Sequence, residues 1–130
     1  MRRVTQLTLT MESKPGVLAA LCSALANAGA NVEAICAPEA VGKGKVRLLV
    51  GDAVRGQAVL KEARLRVGTE EALALTLENR PGSLAEVAGK LARAKVNVKC
   101  AYATTVGTGG PATVILTVSN VAKAMEALGG

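Results

Sequence analysis

Two short stretches carry the residue types from which a binding site could be made: ESKPGVL at 12–18 and ENRPGSL at 78–84. Each sets a Pro-Gly turn ahead of a Leu/Ala-rich stretch of helical spacing. The first amides of a helix have no acceptor of their own, and the helix dipole points positive there, so such a corner favours a carboxylate. Glycine lets backbone approach a ligand with no Cβ in the way. Asn31 and Asn97, each followed by Val, offer both a donor and an acceptor. Lys14 and Arg80 could meet a carboxylate, although an exposed turn cation is ordinarily just solvated. The plainer reading of the same residues is structural, with Pro-Gly as a helix start and each Asn satisfying backbone groups in a turn.

Other chemistries are poorly supplied. The chain has no His, which removes the usual general base and the commonest metal ligand. It has no nucleophile elbow and no convincing carboxylate pair, since Glu12 and Glu78 belong to separate stretches. We therefore expect no enzyme, no cofactor and no metal. Cys22, Cys36 and Cys100 are an odd number without CxxC spacing, which favours free thiols in a reducing compartment, the cytoplasm. Cys22 falls on an apolar helix face and reads as core. VGTGGPAT lacks the Gly-Lys-Ser/Thr ending of a phosphate loop and reads as a hairpin. The net charge is +6, but the basic residues are scattered among acids from Arg2 to Lys123, and Tyr102 is the only aromatic residue, so nucleic acid is not the expected partner. No apolar run approaches the roughly 20 residues of a membrane helix, and no signal core follows Arg2-Arg3.

The elements that position these corners come from a duplication. At an offset of 66 residues, Leu7, Leu9, Thr10, Glu12, Pro15, Gly16, Leu18, Leu25, Asn31 and Val32 recur identically. Such a period means two copies of one supersecondary unit. Leu7, Leu9 and Met11 alternate with Thr8, Thr10 and Glu12, as a half-buried strand does. Leu18, Leu21, Leu25 and Ala28 then follow helical spacing. Pro15 and Pro81 are expected in the first helical turn, with Ser13 and Asn79 as caps. Gly29 suits the end of the first helix, whereas Lys95 stands in its place in the second, which must then terminate differently. A second strand opens at each Asn-Val. Gly-rich hairpins follow at 41–45 and 106–111, then strands at 45–50 and 112–118, and shorter helices at 53–63 and 120–129. The first copy adds a strand at 64–69 that the second lacks.

Strand, helix, strand, strand, helix, strand is the order of an α+β, ferredoxin-like βαββαβ unit: an antiparallel sheet with both helices on one face and strands one and three central. We expect two such units in tandem, over 1–69 and 70–130, their edges joined into one sheet. The missing last strand of the second would leave its first strand's edge open. Very small units also gain stability by association, which favours a homodimer.

The twofold Pro-Gly-x-Leu with Asn-Val at one spacing resembles the ACT domain, a small-molecule regulatory module, and the tandem arrangement is similar to short stand-alone tandem ACT proteins. The resemblance implies an effector, commonly an amino acid, held near the first strand–helix turn, and a regulated protein partner. It places the site at Ser13, Lys14, Pro15, Gly16, Val17, Leu18 and Asn31 in one copy, and at Asn79, Arg80, Pro81, Gly82, Ser83, Leu84 and Asn97 in the other. A structural module that assembles through ACT pairing without a ligand is the alternative.

Overall fold

A computed structural model describes residues 1–38, 42–107 and 109–129. Along the chain run β1 (Arg2–Glu12), α1 (Val17–Asn27), β2 (Val32–Cys36), β3 (Lys43–Val50), α2 (Ala53–Glu62), β4 (Gly68–Glu78), α3 (Ser83–Arg93), β5 (Val98–Thr105), β6 (Pro111–Val118) and α4 (Val121–Ala127). The chain forms two compact units, residues 5–70 and residues 1–4 with 71–130. Each is a ferredoxin-like unit with antiparallel strands. The hairpins expected at 41–45 and 106–111 lie partly outside the described residues, at Val41 and Thr108.

In the unit of residues 5–70 the strand order is β2-β3-β1-β4, with β4 contributing only its start. The crossover strands β1 and β3 are central, as the handedness of crossovers requires, and Leu7 faces Leu48 while Thr10 faces Lys45. Leu7, Leu9, Val46, Leu48 and Val50 point to one face, where Leu21 and Leu25 of α1 and Leu60 of α2 close the core. Side chains of this kind contribute roughly 1.5–3 kcal/mol each when fully buried. Gly56 brings α2 close to the sheet, since a Cβ there would lie 2.9 Å from Val50 and 3.0 Å from Leu7. The strand expected at 64–69 begins only at Gly68 and runs on without a break to Glu78. Residues 64–67 are spent instead on ending α2.

In the other unit the order is β1-β4-β6-β5, with residues 2–4 supplying the β1 part. The edge for which the second copy has no strand of its own is thus flanked by the chain's own first residues. Met1 and Arg2 lie beside Ala74, Leu75 and Thr76, and Arg3 is 3.6 Å from Glu71. The core repeats the pattern of the first, with Leu73, Leu75, Val114 and Leu116 under Val87, Leu91 and Ala124.

The helix ends correct two expectations. Pro15 and Pro81 precede the helices rather than sitting in their first turns, and neither Ser13 nor Asn79 caps. The N-caps of α1 and α3 are Gly16 (φ 89°) and Gly82 (φ 91°), without a side-chain cap. That left-handed dihedral is open to glycine and strained for other residues, so the backbone itself explains the recurring Pro-Gly. α3 ends as α1 does, despite Lys95. Lys95 adopts φ 59° where Gly29 has φ 73°, and the Val96 amide donates to the Leu91 carbonyl at 2.9 Å, as Ala30 does to Leu25. Arg64, at φ 65°, ends α2 in the same way, with Leu65 donating to Leu60.

Candidate functional site

In the first corner β1 ends at Glu12 and α1 starts at Val17. The Ser13 amide donates to the Gly42 carbonyl at 3.0 Å, which ties the turn to the mouth of β3. The Val17 amide reaches the Lys14 carbonyl only at 3.4 Å, and the Leu18 and Ala19 amides find no acceptor among the described residues. A cleft of about 170 Å³ opens beside them. Met11, Val17, Leu18, Ala37, Pro38 and Val46 give it aliphatic walls, and Glu12, Ser13 and Lys14 give it a polar end. Lys14 Nζ lies 2.9 Å from Glu12 Oε2. This hydrogen bond and the accompanying charge hold the Glu12 carboxyl below its ordinary value, and Lys43 adds to the effect.

Of the residues expected in this corner, the cleft takes in Ser13, Lys14, Val17 and Leu18. Pro15 and Gly16 shape the turn but do not line it, and a Cβ on Gly16 would meet nothing within 4 Å. Asn31 is not brought to the corner. It follows the far end of α1, where its carbonyl accepts from the Gly51 amide. An 11-residue helix is about 16 Å long, which separates the two ends. The residues that do return to the corner are Ala37 and Pro38 at the end of β2. The sequence held that signal, because a right-handed βαβ crossover brings the carboxyl ends of its two strands to the same side.

The second corner is built differently. Asn79 Nδ2 donates to Thr105 Oγ1 at 3.1 Å and to the Gly107 carbonyl at 3.0 Å, so this side chain fastens the β5–β6 hairpin. Arg80 is not free in solvent. Its guanidinium bonds Glu78 at 3.1 Å and Glu86 at 3.3 Å and donates to the Pro81 carbonyl. Those carboxylates, Glu86 foremost, raise its pKa above the ordinary arginine value. The cleft here, about 300 Å³, is lined by Leu75, Leu77, Val87 and Leu128 with Glu78, Arg80, Ser83, Glu86 and Lys90, and Met1 closes one wall. Asn79, Pro81, Gly82 and Leu84 are outside its lining. Asn97 sits beyond α3, away from this cleft, its amide bound to Ser119 Oγ and its carbonyl accepting from the Ser119 amide.

Cys22, Cys36 and Cys100 are of intermediate exposure and are not joined in a disulfide among the described residues. Among the described residues no cluster of His, Cys, Asp or Glu could hold a metal ion, and no helix is long and apolar enough to cross a membrane.

A family model described as an ACT domain pair matches residues 2–128. Among solved structures, protein BT0572 from Bacteroides thetaiotaomicron superposes with a TM-score of 0.89 at 28% identity, over 98% of this chain and 87% of that one. The regulatory subunit of aspartate kinase from Thermus thermophilus, in its ligand-free form, superposes at 0.69 with 18% identity, over 96% and 89%. That from Thermus flavus superposes at 0.65 with 15% identity, over 98% and 90%. No curated protein matches the sequence.

Proposed function

Because the chain belongs to the ACT domain pair family, we propose that it is a regulatory module that binds an amino acid at the first Pro-Gly corner. The observation that carries this reading is the composition of the 170 Å³ cleft. An amino acid presents a carboxylate, an ammonium and a side chain. Lys14 and the acceptorless Leu18 and Ala19 amides suit the carboxylate, Glu12 suits the ammonium, and the aliphatic walls suit an apolar side chain. Separating the Lys14–Glu12 pair costs little, since both groups are exposed.

The second corner serves the fold in this reading. Asn79 is spent on a hairpin, and Arg80 on two carboxylates. In the first copy the position of Glu86 is held by Ala20, which leaves Lys14 with Glu12 as its one ion-pair partner among the described residues. The chain carries no catalytic role here. A ligand-dependent change at the corner is passed to a protein partner, and the module works as a homodimer, for which sedimentation should show twice the chain mass. A clean monomer at all concentrations would exclude the dimer.

The test of binding is a thermal-shift screen of the standard amino acids on the full chain. A true ligand raises stability by about 2.7 kcal/mol at a hundredfold excess over its Kd. Lys14→Gln and Glu12→Gln should each lower affinity by roughly 1.5–3 kcal/mol, as loss of a charge-assisted bond does. If no amino acid shifts the transition, the pair acts as an assembly module only.

A further inference from the structure

The unit of residues 5–70 has a second cleft, larger than the first and sharing no residue with it. It has a volume of about 590 Å³ and is walled by Thr8, Leu9, Thr10, Lys43, Lys45 and Arg66, with Val67 and Gly68 at its rim. We infer that this cleft is a site for a compact oligophosphate group, such as a di- or triphosphate carried by a small molecule. This goes beyond the amino-acid corner and does not depend on it.

The charge balance supports it first. Among the described residues no carboxylate lines the cleft. Lys45 reaches Glu70 only at 3.7 Å, and Arg47 already holds that carboxylate at 3.0 Å. Lys43 stands across the sheet register from Glu12, which Lys14 holds at 2.9 Å. No carboxylate lies within ion-pair distance of Arg66 among the described residues. The surplus is therefore local, and a polyanion neutralises it. Lysines supply mobile point charges, Arg66 a flat fork of donors, and Thr8 and Thr10 hydroxyl donors, a set suited to tetrahedral oxyanions.

The duplication supplies the second argument. Exposed cations are ordinarily no more than a solvated face, so the fold's own needs must be separated from any other. In the second copy Glu78, Thr76 and Ala74 face Pro111, Thr113 and Ile115. Their counterparts Glu12, Thr10 and Thr8 face Lys43, Lys45 and Arg47. The same strands thus pair and pack without any cation on β6. The matching cleft there, lined by Met1, Arg2, Ala74, Leu75, Thr76 and Thr113, is about 200 Å³ and has a single cationic side chain. Neither pairing nor packing calls for the lysines of β3, and their i, i+2 spacing puts both on one face.

The experiment is calorimetric titration of the full chain with inorganic tripolyphosphate at constant ionic strength, beside sodium sulfate and a single-stranded oligonucleotide. Saturable one-to-one binding of tripolyphosphate, with none of sulfate, is expected. Lys45→Gln with Arg66→Gln should weaken it at least about tenfold, the weight of one charge-assisted bond. Lys61→Gln with Lys123→Gln removes the same charge elsewhere and should leave it unchanged. Lys45→Arg, which keeps the charge, should retain binding and guards against a folding defect. Absence of saturation overturns the inference, as does an equal loss in both double variants, which would make it a net-charge effect. Tighter binding of the oligonucleotide than of tripolyphosphate would overturn it in favour of nucleic acid.

Discussion

Lys95→Gly should make the protein more stable, although it introduces glycine beside a helix. Lys95 lies just past α3 at φ 59°, the left-handed region. For a residue with a side chain that conformation costs roughly 1–2 kcal/mol. Glycine avoids the cost but has a more disordered unfolded chain, which takes back roughly 0.4–1 kcal/mol. The difference favours glycine by about 0.5–1 kcal/mol. Arg64, at φ 65° after α2, offers the same gain, and the two sites lie on different helices, so the effects should add to about 1–2 kcal/mol. Gly29, at φ 73° after α1, is the reverse control. A Cβ there would come no closer than 4.0 Å to another atom, so Gly29→Lys tests the dihedral without a clash and should cost a similar amount. Urea unfolding of the single variants and of Lys95→Gly/Arg64→Gly reads these differences directly. A fall in midpoint for Lys95→Gly, or no loss for Gly29→Lys, would refute the argument from backbone strain.

Other expectations concern packing, charge and the sheet edge. Gly56→Ala should destabilise by roughly 1–3 kcal/mol through overpacking against Val50 and Leu7, despite alanine's better helix propensity, and a raised urea midpoint would contradict it. Leu21→Ala and Leu91→Ala, at matching depth in the two cores, should each cost roughly 2–5 kcal/mol, and a surface-like cost below 1 kcal/mol would show the cores to be misassigned. Glu12 has a depressed pKa in the folded state, so its contribution is present above the unfolded pKa and lost as pH falls through the folded one. In Lys14→Gln a carboxyl NMR titration should show the Glu12 pKa moving up, and an unmoved value would mean that the ion pair is not formed. Removing residues 1–4 should speed hydrogen exchange of the β4 amides near Leu75, and unchanged protection would mean that the edge needs no cover.

Much of this architecture was legible in the residues themselves. The alternation of Leu7, Leu9 and Met11, and the helical spacing of Leu21 and Leu25, depend on local periodicity, and the offset of 66 residues repeated the signal. Element order followed, and with it the ferredoxin-like topology. Four features resisted for definable reasons. Lys95 was expected to change how α3 ends, yet tertiary packing of Val96 pays for a left-handed lysine. The run RLRVGT has strand-like composition, but its first residues close a helix and its last two open β4. The residues expected at the first corner divide by where the fold places them. Ser13, Lys14, Val17 and Leu18 are local to the turn and do line the cleft, whereas Asn31 was placed by sequence proximity to a strand whose start lies at the other end of the helix. The basic cleft was hidden because Lys43 and Lys45 lie on β3 while Arg66 comes from the segment before β4, and only the fold brings them to one cleft.

The division of the compact units inside β1 and β4 bears on synthesis. Residues 1–4 leave the ribosome well before residues 71–130, to which they belong. The unit of residues 5–70 can complete itself as soon as Glu70 emerges, while the other must keep its opening residues available until its remaining strands arrive. Its formation is therefore the slower step by topology, since it closes the longest loop in the chain. A cut between the two repeats would take Gly68–Glu70 from one unit and residues 1–4 from the other.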